Sequence, residues 1–158
     1  MRIYSILSLI FLSLLLSSCN SDDDICTSGE ATPRVKIKFK NQATGKLKTL
    51  DSLYVTVDYG NGKTDSLVRA KVDSVLLPLR IDDAGFTEIQ VKISKNGPQS
   101  KLRYIYQSRA EYVSPACGVR KLYDNVSATL LSTNPVQAVE NSESQITNEN
   151  KTHTYLLF

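Results

Sequence analysis

Alternation of apolar and polar residues is the feature that most limits the fold of this chain. In Val35-Lys36-Ile37-Lys38-Phe39-Lys40, each apolar side chain is followed by a lysine. Successive side chains of a β-strand point to opposite faces, so this pattern predicts a strand with one buried and one solvent-exposed face. The same period recurs at residues 55–59, 89–93, 102–106 and 126–130, and the chain closes with a strand-like apolar segment at 155–158.

Turn-forming residues separate these segments. Asn61-Gly62 predicts a tight hairpin, and Asp82-Asp83-Ala84-Gly85 and Asn96-Gly97-Pro98 predict two further turns. Pro78 cannot donate to a sheet ladder, so residues 76–79 are predicted to be an edge strand or a strand end. No convincing amphipathic helix is present, although residues 136–140 could form one turn, and residues 141–152 predict a long polar loop.

Seven or eight short strands with these turns predict an all-β fold, an antiparallel β-sandwich of immunoglobulin-like size. The domain would occupy residues 33–158, after a signal peptide at 1–18 and an acidic, lipidated tether at 19–32. Removal of residues 1–18 as a signal peptide would take away Arg2 and leave 18 basic against 16 acidic side chains. A net charge of about +2 is too balanced to indicate nucleic-acid binding.

The amino terminus has the pattern of a bacterial lipoprotein signal. Met1-Arg2 precedes an apolar segment at residues 3–16, and Leu16-Ser17-Ser18-Cys19 follows. The apolar segment is shorter than the roughly 20 residues of a spanning helix, and small residues precede the cysteine as they do at cleavage sites. We expect cleavage before Cys19 and alkylation of its thiol by a diacylglycerol. Two or three acyl chains, such as palmitate, would then anchor the protein in a membrane. The alternative is an ordinary secretory signal with a chance cysteine.

Lipidation uses one of the three cysteines and leaves an even pair, Cys26 and Cys117. In an oxidising envelope compartment, the expectation is a disulfide between them. The bond would close a loop of about 90 residues, and chain entropy gives such a loop about 4.5 kcal/mol of stabilisation. The alternative is a nucleophilic Cys117 with His153 as its base.

Three segments carry a resemblance to a known family: Asp24-Ile25-Cys26, Thr32-Pro33-Arg34-Val35-Lys36-Ile37-Lys38-Phe39 and Tyr112-Val113-Ser114-Pro115-Ala116-Cys117-Gly118. They resemble short Bacteroidota lipoproteins described as domain of unknown function 6452. The resemblance implies an envelope location and the pairing of the two cysteines. It implies no catalytic residue, because the family carries no assigned activity.

The residues after Cys19 indicate a destination. Ser21-Asp22-Asp23-Asp24 is polar and acidic, and it resembles the export signal that sends Bacteroidota lipoproteins to the outer face of the outer membrane. We therefore expect a lipid anchor at the outer membrane with the domain facing outward, and the periplasmic face is the alternative. A solvated tether without an export role would explain the same composition.

Few residues suit catalysis or metal binding. His153 is the only histidine, so the chain has no histidine-based metal cluster, and we expect this residue on the surface. Asp82-Asp83 lies in a predicted turn, where turn chemistry explains the pair better than acid–base catalysis, and a calcium site is the alternative. We predict no catalytic residue, no metal and no cofactor.

Lysines and tyrosines are the candidate binding residues. Lys36, Lys38 and Lys40 project from one face of the first strand and form a stripe that suits an anionic glycan or a lipid head group. The simpler interpretation is that these lysines protect an exposed sheet edge. Tyr104 and Tyr106 share one alternating face, which favours core packing over stacking on sugars.

Three repeats of one short motif suggest modification. Asp51-Ser52-Leu53, Asp65-Ser66-Leu67 and Asp73-Ser74-Val75 resemble the acceptor for O-glycosylation of Bacteroidota envelope proteins. Ser52, Ser66 and Ser74 are therefore candidate glycan sites. In the structural alternative, Asp-Ser ends a turn and the apolar residue begins a strand.

Together these features predict a membrane-anchored envelope lipoprotein that binds or supports an envelope protein or glycan without catalysing a reaction. The alternative is a glycan-binding module that serves polysaccharide uptake. Exposed tyrosines beside the lysine stripe would favour that alternative, and buried tyrosines would count against it.

Overall fold

The computed structural model describes residues 31–158, so the predicted signal peptide and most of the predicted tether lie outside the described residues. Within this part the chain has nine strands and no helix, and therefore no helix that could cross a membrane. The strands are β1 (Val35–Lys40), β2 (Leu50–Asp58), β3 (Thr64–Val72), β4 (Ser74–Leu77), β5 (Phe86–Lys92), β6 (Ser100–Ser114), β7 (Gly118–Ser132), β8 (Ala138–Asn141) and β9 (Thr154–Leu157). The predicted all-β fold is confirmed.

Two sheets pack face to face as a β-sandwich. The four-stranded sheet has the order β4-β1-β9-β8, and the five-stranded sheet has the order β3-β2-β5-β6-β7. Neighbouring strands are antiparallel except β1 and β9, which are parallel. Parallel neighbours need a long crossover, and here the first and last of the described strands supply the pair.

The alternation of the sequence explains which side chains meet between the sheets. On β1, Val35, Ile37 and Phe39 are buried, whereas the lysines that follow them are partly exposed. The predicted shared face of β6 is also buried, at Leu102, Tyr104 and Tyr106. Removal of such large apolar side chains from water, at roughly 1.5–3 kcal/mol each, stabilises the packing of the two sheets.

The lysines of β1 do not protect a sheet edge. β1 lies between β4 and β9, so the edge interpretation of Lys36, Lys38 and Lys40 is wrong. These side chains lie on the outer face of an inner strand because alternation places them opposite the core. The sequence near β1 does not indicate that β9 is its neighbour, because Ile37 pairs with Thr154, far along the chain.

The predicted hairpin at Asn61-Gly62 joins β2 to β3. The backbone φ is +53° at Asn61 and +74° at Gly62, values in the left-handed region that asparagine and glycine adopt most readily. The Tyr59 N–H donates to the Lys63 carbonyl at 2.8 Å and closes the loop. β4 ends just before Pro78 and lies at the edge of its sheet, so both alternatives for that segment hold.

Residues 136–140 do not form the helical turn that their sequence allows. Ala138–Asn141 is the edge strand β8, and Ala138 pairs with Leu157 of β9. Val136 is fully buried, and its N–H donates to the Ser100 hydroxyl at 2.8 Å. Long-range pairing with the last strand decides the conformation here, as is usual for short β segments.

The predicted polar loop before β9 is present and contains one apolar anchor. Ile146 is fully buried, and its N–H donates to the Tyr123 carbonyl at 2.8 Å. The Val126 N–H donates to the Ser144 carbonyl at 2.8 Å. The loop therefore covers part of the outer edge of β7, which would otherwise expose unpaired backbone groups.

β6 and β7 are 15 residues long each, and residues 107–124 form a two-stranded arm beyond the strands that pair with β5. A bulge marks its base, because Ile105 lies opposite Ser127 but Gln107 lies opposite Asp124. Asn125 has a φ of +53° there, and its side-chain amide donates to Gln107 Oε1 at 3.0 Å. We call residues 107–124 the β6–β7 arm; no pattern in the sequence predicts it.

Candidate functional site

A groove of about 670 Å³ opens between β3 and β4, which are edge strands of the two different sheets. We call it the β3–β4 groove. Its apolar lining residues include Val57, Leu67, Val72, Val75 and Leu77. Its charged lining residues are Arg34, Lys36, Asp65 and Arg69.

The groove exists because β3 is poorly covered by the other sheet. Most residues of β3 are exposed, and only Leu67 and Val72 are partly buried. On β4, by contrast, Val75 and Leu77 are buried and belong to the core. The seam between β3 and β4 is therefore an open side of the core rather than a closed sandwich edge.

The electrostatic balance of the groove is positive. Lys36 Nζ donates to the Asn150 carbonyl at 3.4 Å, and Arg69 donates to the Val68 carbonyl at 2.9 Å. Within residues 31–158, neither cation forms an ion pair, and Asp65 is the one carboxylate that lines the groove. Apolar walls with a few charged groups are typical of sites for ligands that have an apolar body and a charged end.

Arg34 is engaged more firmly than the other two cations. Its guanidinium donates to both carboxylate oxygens of Glu149, at 2.7 and 2.9 Å. This fork-like contact holds the pKa of Glu149 below its ordinary value. Arg34 therefore shapes the rim of the groove, and Lys36 and Arg69 are the cations available to a ligand.

The structure separates the three lysines of the predicted stripe. Lys36 lines the groove, whereas Lys40 forms an ion pair with Glu140 and lies over the Tyr155 ring, 4.0 Å from its centroid. Lys38 is partly buried on the outer face of β1, between them. Only one member of the stripe contributes to the groove.

His153 is buried, which contradicts the expected surface position. Its Nδ1 accepts the Lys36 N–H at 2.9 Å, so the ring is neutral and carries its proton on Nε2. Burial lowers the pKa of His153; Lys36 and Lys151 lower it further, and Glu143 and Glu149 oppose the change. The histidine links the loop before β9 to β1 and is a structural residue.

A ring of hydrogen bonds fixes the backbone of Arg80 beside the core. The Arg80 N–H donates to Thr87 Oγ1 at 2.9 Å, and the Thr87 and Tyr106 hydroxyls lie 2.7 Å apart. The Tyr106 hydroxyl donates to the Arg80 carbonyl at 3.3 Å, and burial raises the pKa of Tyr106. Tyr123 packs edge-on against Tyr106, with ring centroids 4.9 Å apart. These tyrosines are core residues, as the alternation predicts for Tyr106.

The Asp82-Asp83 pair lies in a turn, as predicted. Asp82 pairs with Arg80, which lowers the pKa of the carboxyl group. Asp83 accepts hydrogen bonds from Lys121 and Ser108, which lower its pKa as well. Both carboxylates are used by neighbouring cations and hydroxyls, and in residues 31–158 no group of three potential metal ligands occurs.

The three candidate glycan sites differ in position. Ser52 lies within β2 and donates to the Ile93 carbonyl at 2.5 Å, and Ser66 lies within β3, 3.0 Å from the Thr56 hydroxyl. Ser74 begins β4 and donates to Asp73 at 2.9 Å. The turn explanation therefore fits only Ser74. Ser66 is exposed and is the most accessible of the three.

Cys117 lies at the end of the β6–β7 arm, where its N–H donates to the Ser114 hydroxyl at 3.2 Å. The predicted lipidation site Cys19, the predicted partner Cys26 and the predicted export signal, Ser21, Asp22, Asp23 and Asp24, lie outside the described residues. These assignments stay predictions. The alternative base His153 lies against β1 in the other sheet, and its Nδ1 is already occupied by Lys36.

A family model described as a family of unknown function (DUF6452) matches residues 50–158. The chain belongs to this family. The DUF6452 match includes the segment around Cys117 but begins after the two earlier segments that carried the resemblance. No curated protein and no solved structure matches the chain.

Arg69 is a residue of the groove that the sequence of this DUF6452 domain did not predict. β3 has no buried face, since seven of its nine positions are exposed and the other two are only partly buried. The meeting of β3 with β4 also depends on the packing of two different sheets. A local signal for the groove was therefore absent.

Proposed function

We propose that this protein is a lipid-anchored envelope lipoprotein whose sandwich domain binds a partner or ligand without catalysing a reaction. The β3–β4 groove carries the proposal, because Lys36 and Arg69 lie beside an accessible apolar wall. Acylation of Cys19 would anchor the domain at the outer membrane, facing outward under the export signal or toward the periplasm without it.

The groove favours a ligand that carries both apolar and negatively charged groups. Lys36 and Arg69 would contact the negative group, and Leu67 and Val72 would contact the apolar body. Partly exposed ion pairs contribute only about 0–1 kcal/mol each, so apolar contact would supply most of the affinity. The cations would mainly select the charge of the ligand.

We also propose the disulfide between Cys26 and Cys117, and the described end of the tether supports it. Thr32 Oγ1 accepts the Lys121 N–H at 3.0 Å, so the tether reaches β7 only four residues from Cys117. Four strand residues span roughly 13 Å, and the six residues from Thr32 back to Cys26 can extend about 20 Å. The tether is therefore long enough to reach the end of the arm.

Titration with anilinonaphthalene sulfonate, an apolar anion, tests the groove. We expect saturable fluorescence enhancement with the domain, and about tenfold weaker binding to the double variant Lys36→Ala, Arg69→Ala, which corresponds to about 1.4 kcal/mol. Lys38→Ala is the matched control, because it removes a lysine from the same face of β1 outside the groove. Equal affinity of all three proteins would contradict the site.

Proteolysis of intact native cells tests the orientation. Loss of the protein to proteinase K before lysis is expected for an outward-facing domain. Survival until the cells are lysed would favour the periplasmic alternative and assign no export role to residues 21–24.

Glycan binding receives less support from the tyrosines. Tyr104, Tyr106 and Tyr123 are buried, and Lys40 covers the ring of Tyr155. No exposed row of tyrosines adjoins the groove in residues 31–158. The groove proposal therefore rests on apolar and charged contacts rather than on sugar stacking.

A further inference from the structure

We propose that the end of the β6–β7 arm, residues 112–119, rests in the head-group region of the bilayer that holds the lipid anchor. The inference rests on the proposed lipidation of Cys19 and adds a second membrane contact. It assigns a lipid surface as the partner of a side of the domain that the groove does not use.

The end of the arm presents an apolar pair to solvent. Tyr112 and Val119 lie opposite each other on β6 and β7, so their side chains share one face of the arm. Their exposed fractions are 66% and 61%, although both are large apolar side chains. Tyrosine suits a membrane surface, because its ring is apolar and its hydroxyl remains hydrated.

The path of the tether places this end of the molecule near the membrane. Thr32 Oγ1 accepts a hydrogen bond from the Lys121 N–H of the arm, so the chain leaves the domain on this side. The roughly 13 residues from Cys19 to Thr32 can extend at most about 45 Å. Pairing of Cys26 with Cys117 would shorten the connection to about seven residues, or about 25 Å.

The charges of the arm are balanced, which defines the kind of lipid contact. Arg109 pairs with Asp124, Arg120 with Glu111, and Lys121 with Asp83. Their positive charges are therefore already compensated by neighbouring carboxylates. We infer an interfacial contact through Tyr112 and Val119 that does not depend on anionic lipid.

The absence of tryptophan from the sequence allows a direct test. The full chain carrying Tyr112→Trp is processed in a lipoprotein-producing bacterium and reconstituted into phosphatidylcholine vesicles with or without phosphatidylglycerol. Leu131→Trp is the matched control. It also lies on an exposed position, 48% accessible, on β7 but about 40 Å along the strand from Val119.

We expect a blue shift of the tryptophan emission at position 112 and loss of its intensity in vesicles made with brominated lipid. The emission at position 131 is expected to stay unchanged, and both vesicle compositions are expected to give the same result. Equal emission at both positions in vesicle-bound protein would overturn the arm contact alone. Failure of both proteins to float with vesicles would refute the lipid anchor, and the arm contact with it.

Discussion

Removal of one buried hydroxyl tests how the backbone of Arg80 is held. In Thr87→Val the side chain keeps its volume, but the Arg80 N–H loses its acceptor and the Tyr106 hydroxyl loses its 2.7 Å partner. A lost hydrogen bond costs about 1 kcal/mol, and a buried donor without a partner costs about 1–3 kcal/mol. Because Thr87 is fully buried, we expect a loss of about 2–3 kcal/mol in the free energy of unfolding.

Tyr106→Phe is the matched variant. It removes the other hydroxyl of the pair, with its hydrogen bonds to Thr87 and to the Arg80 carbonyl, and leaves the buried Thr87 hydroxyl without an acceptor. Because Thr87 still accepts the Arg80 N–H, the expected loss is about 2 kcal/mol. The double variant is expected to lose about 1 kcal/mol less than the sum of the single variants, because both single changes remove the same Thr87–Tyr106 bond.

Urea denaturation followed by circular dichroism measures these differences. All variants must be compared with the same cysteine oxidation state, because a disulfide would change the unfolded chain. The melting temperature of Thr87→Val is expected to fall by roughly 10 °C for a domain of this size. A loss below about 0.5 kcal/mol for Thr87→Val, or additive losses in the double variant, would refute the hydrogen-bond ring.

Two further predictions concern the loop before β9. The free energy of unfolding is expected to decrease as the pH falls below the ordinary histidine pKa, because burial lowers the pKa of His153 and the unfolded chain therefore takes up the proton first. The variant His153→Gln keeps an acceptor for the Lys36 N–H. In urea denaturations between about pH 7.5 and pH 5, we expect its free energy of unfolding to change less with pH than that of the unmodified protein. The same pH dependence in both proteins would argue against the buried neutral ring. Ile146→Ala is expected to cost about 2–5 kcal/mol in the same assay, since this side chain is fully buried. Thr147→Ala, at the exposed neighbouring position, is expected to change stability by less than about 0.5 kcal/mol, and equal effects of the two changes would mean that the loop is not anchored at Ile146.

The local alternation of apolar and polar residues predicted several elements of the fold. β1 occupies the predicted residues Val35–Lys40, and the hairpin at Asn61-Gly62 and the strand end before Pro78 are where the turn residues place them. Each of these features depends on residues that are close in sequence, so the pattern alone was sufficient.

Features that depend on distant pairing were not predictable in this way. His153 has polar neighbours and looks like a surface residue, yet it is buried because β9 pairs with β1 across the length of the chain. The lysines of β1 looked like edge residues for the same reason. Arg69 joins Lys36 in the groove only because β3 and β4 belong to different sheets whose edges meet. The β6–β7 arm could not be predicted, because charged pairs such as Arg120 with Glu111 interrupt the alternation of apolar and polar residues in this segment.

The intact mass of the protein extracted from the membranes of its native host tests the lipid anchor most directly. We expect the mass of residues 19–158 with a diacylglyceryl group and two or three acyl chains in total. Any hexose-sized increments beyond that mass would report glycans on Ser52, Ser66 or Ser74. A chain that begins at another residue, or one that begins at Cys19 without acyl groups, would contradict the anchor on which the proposed function depends.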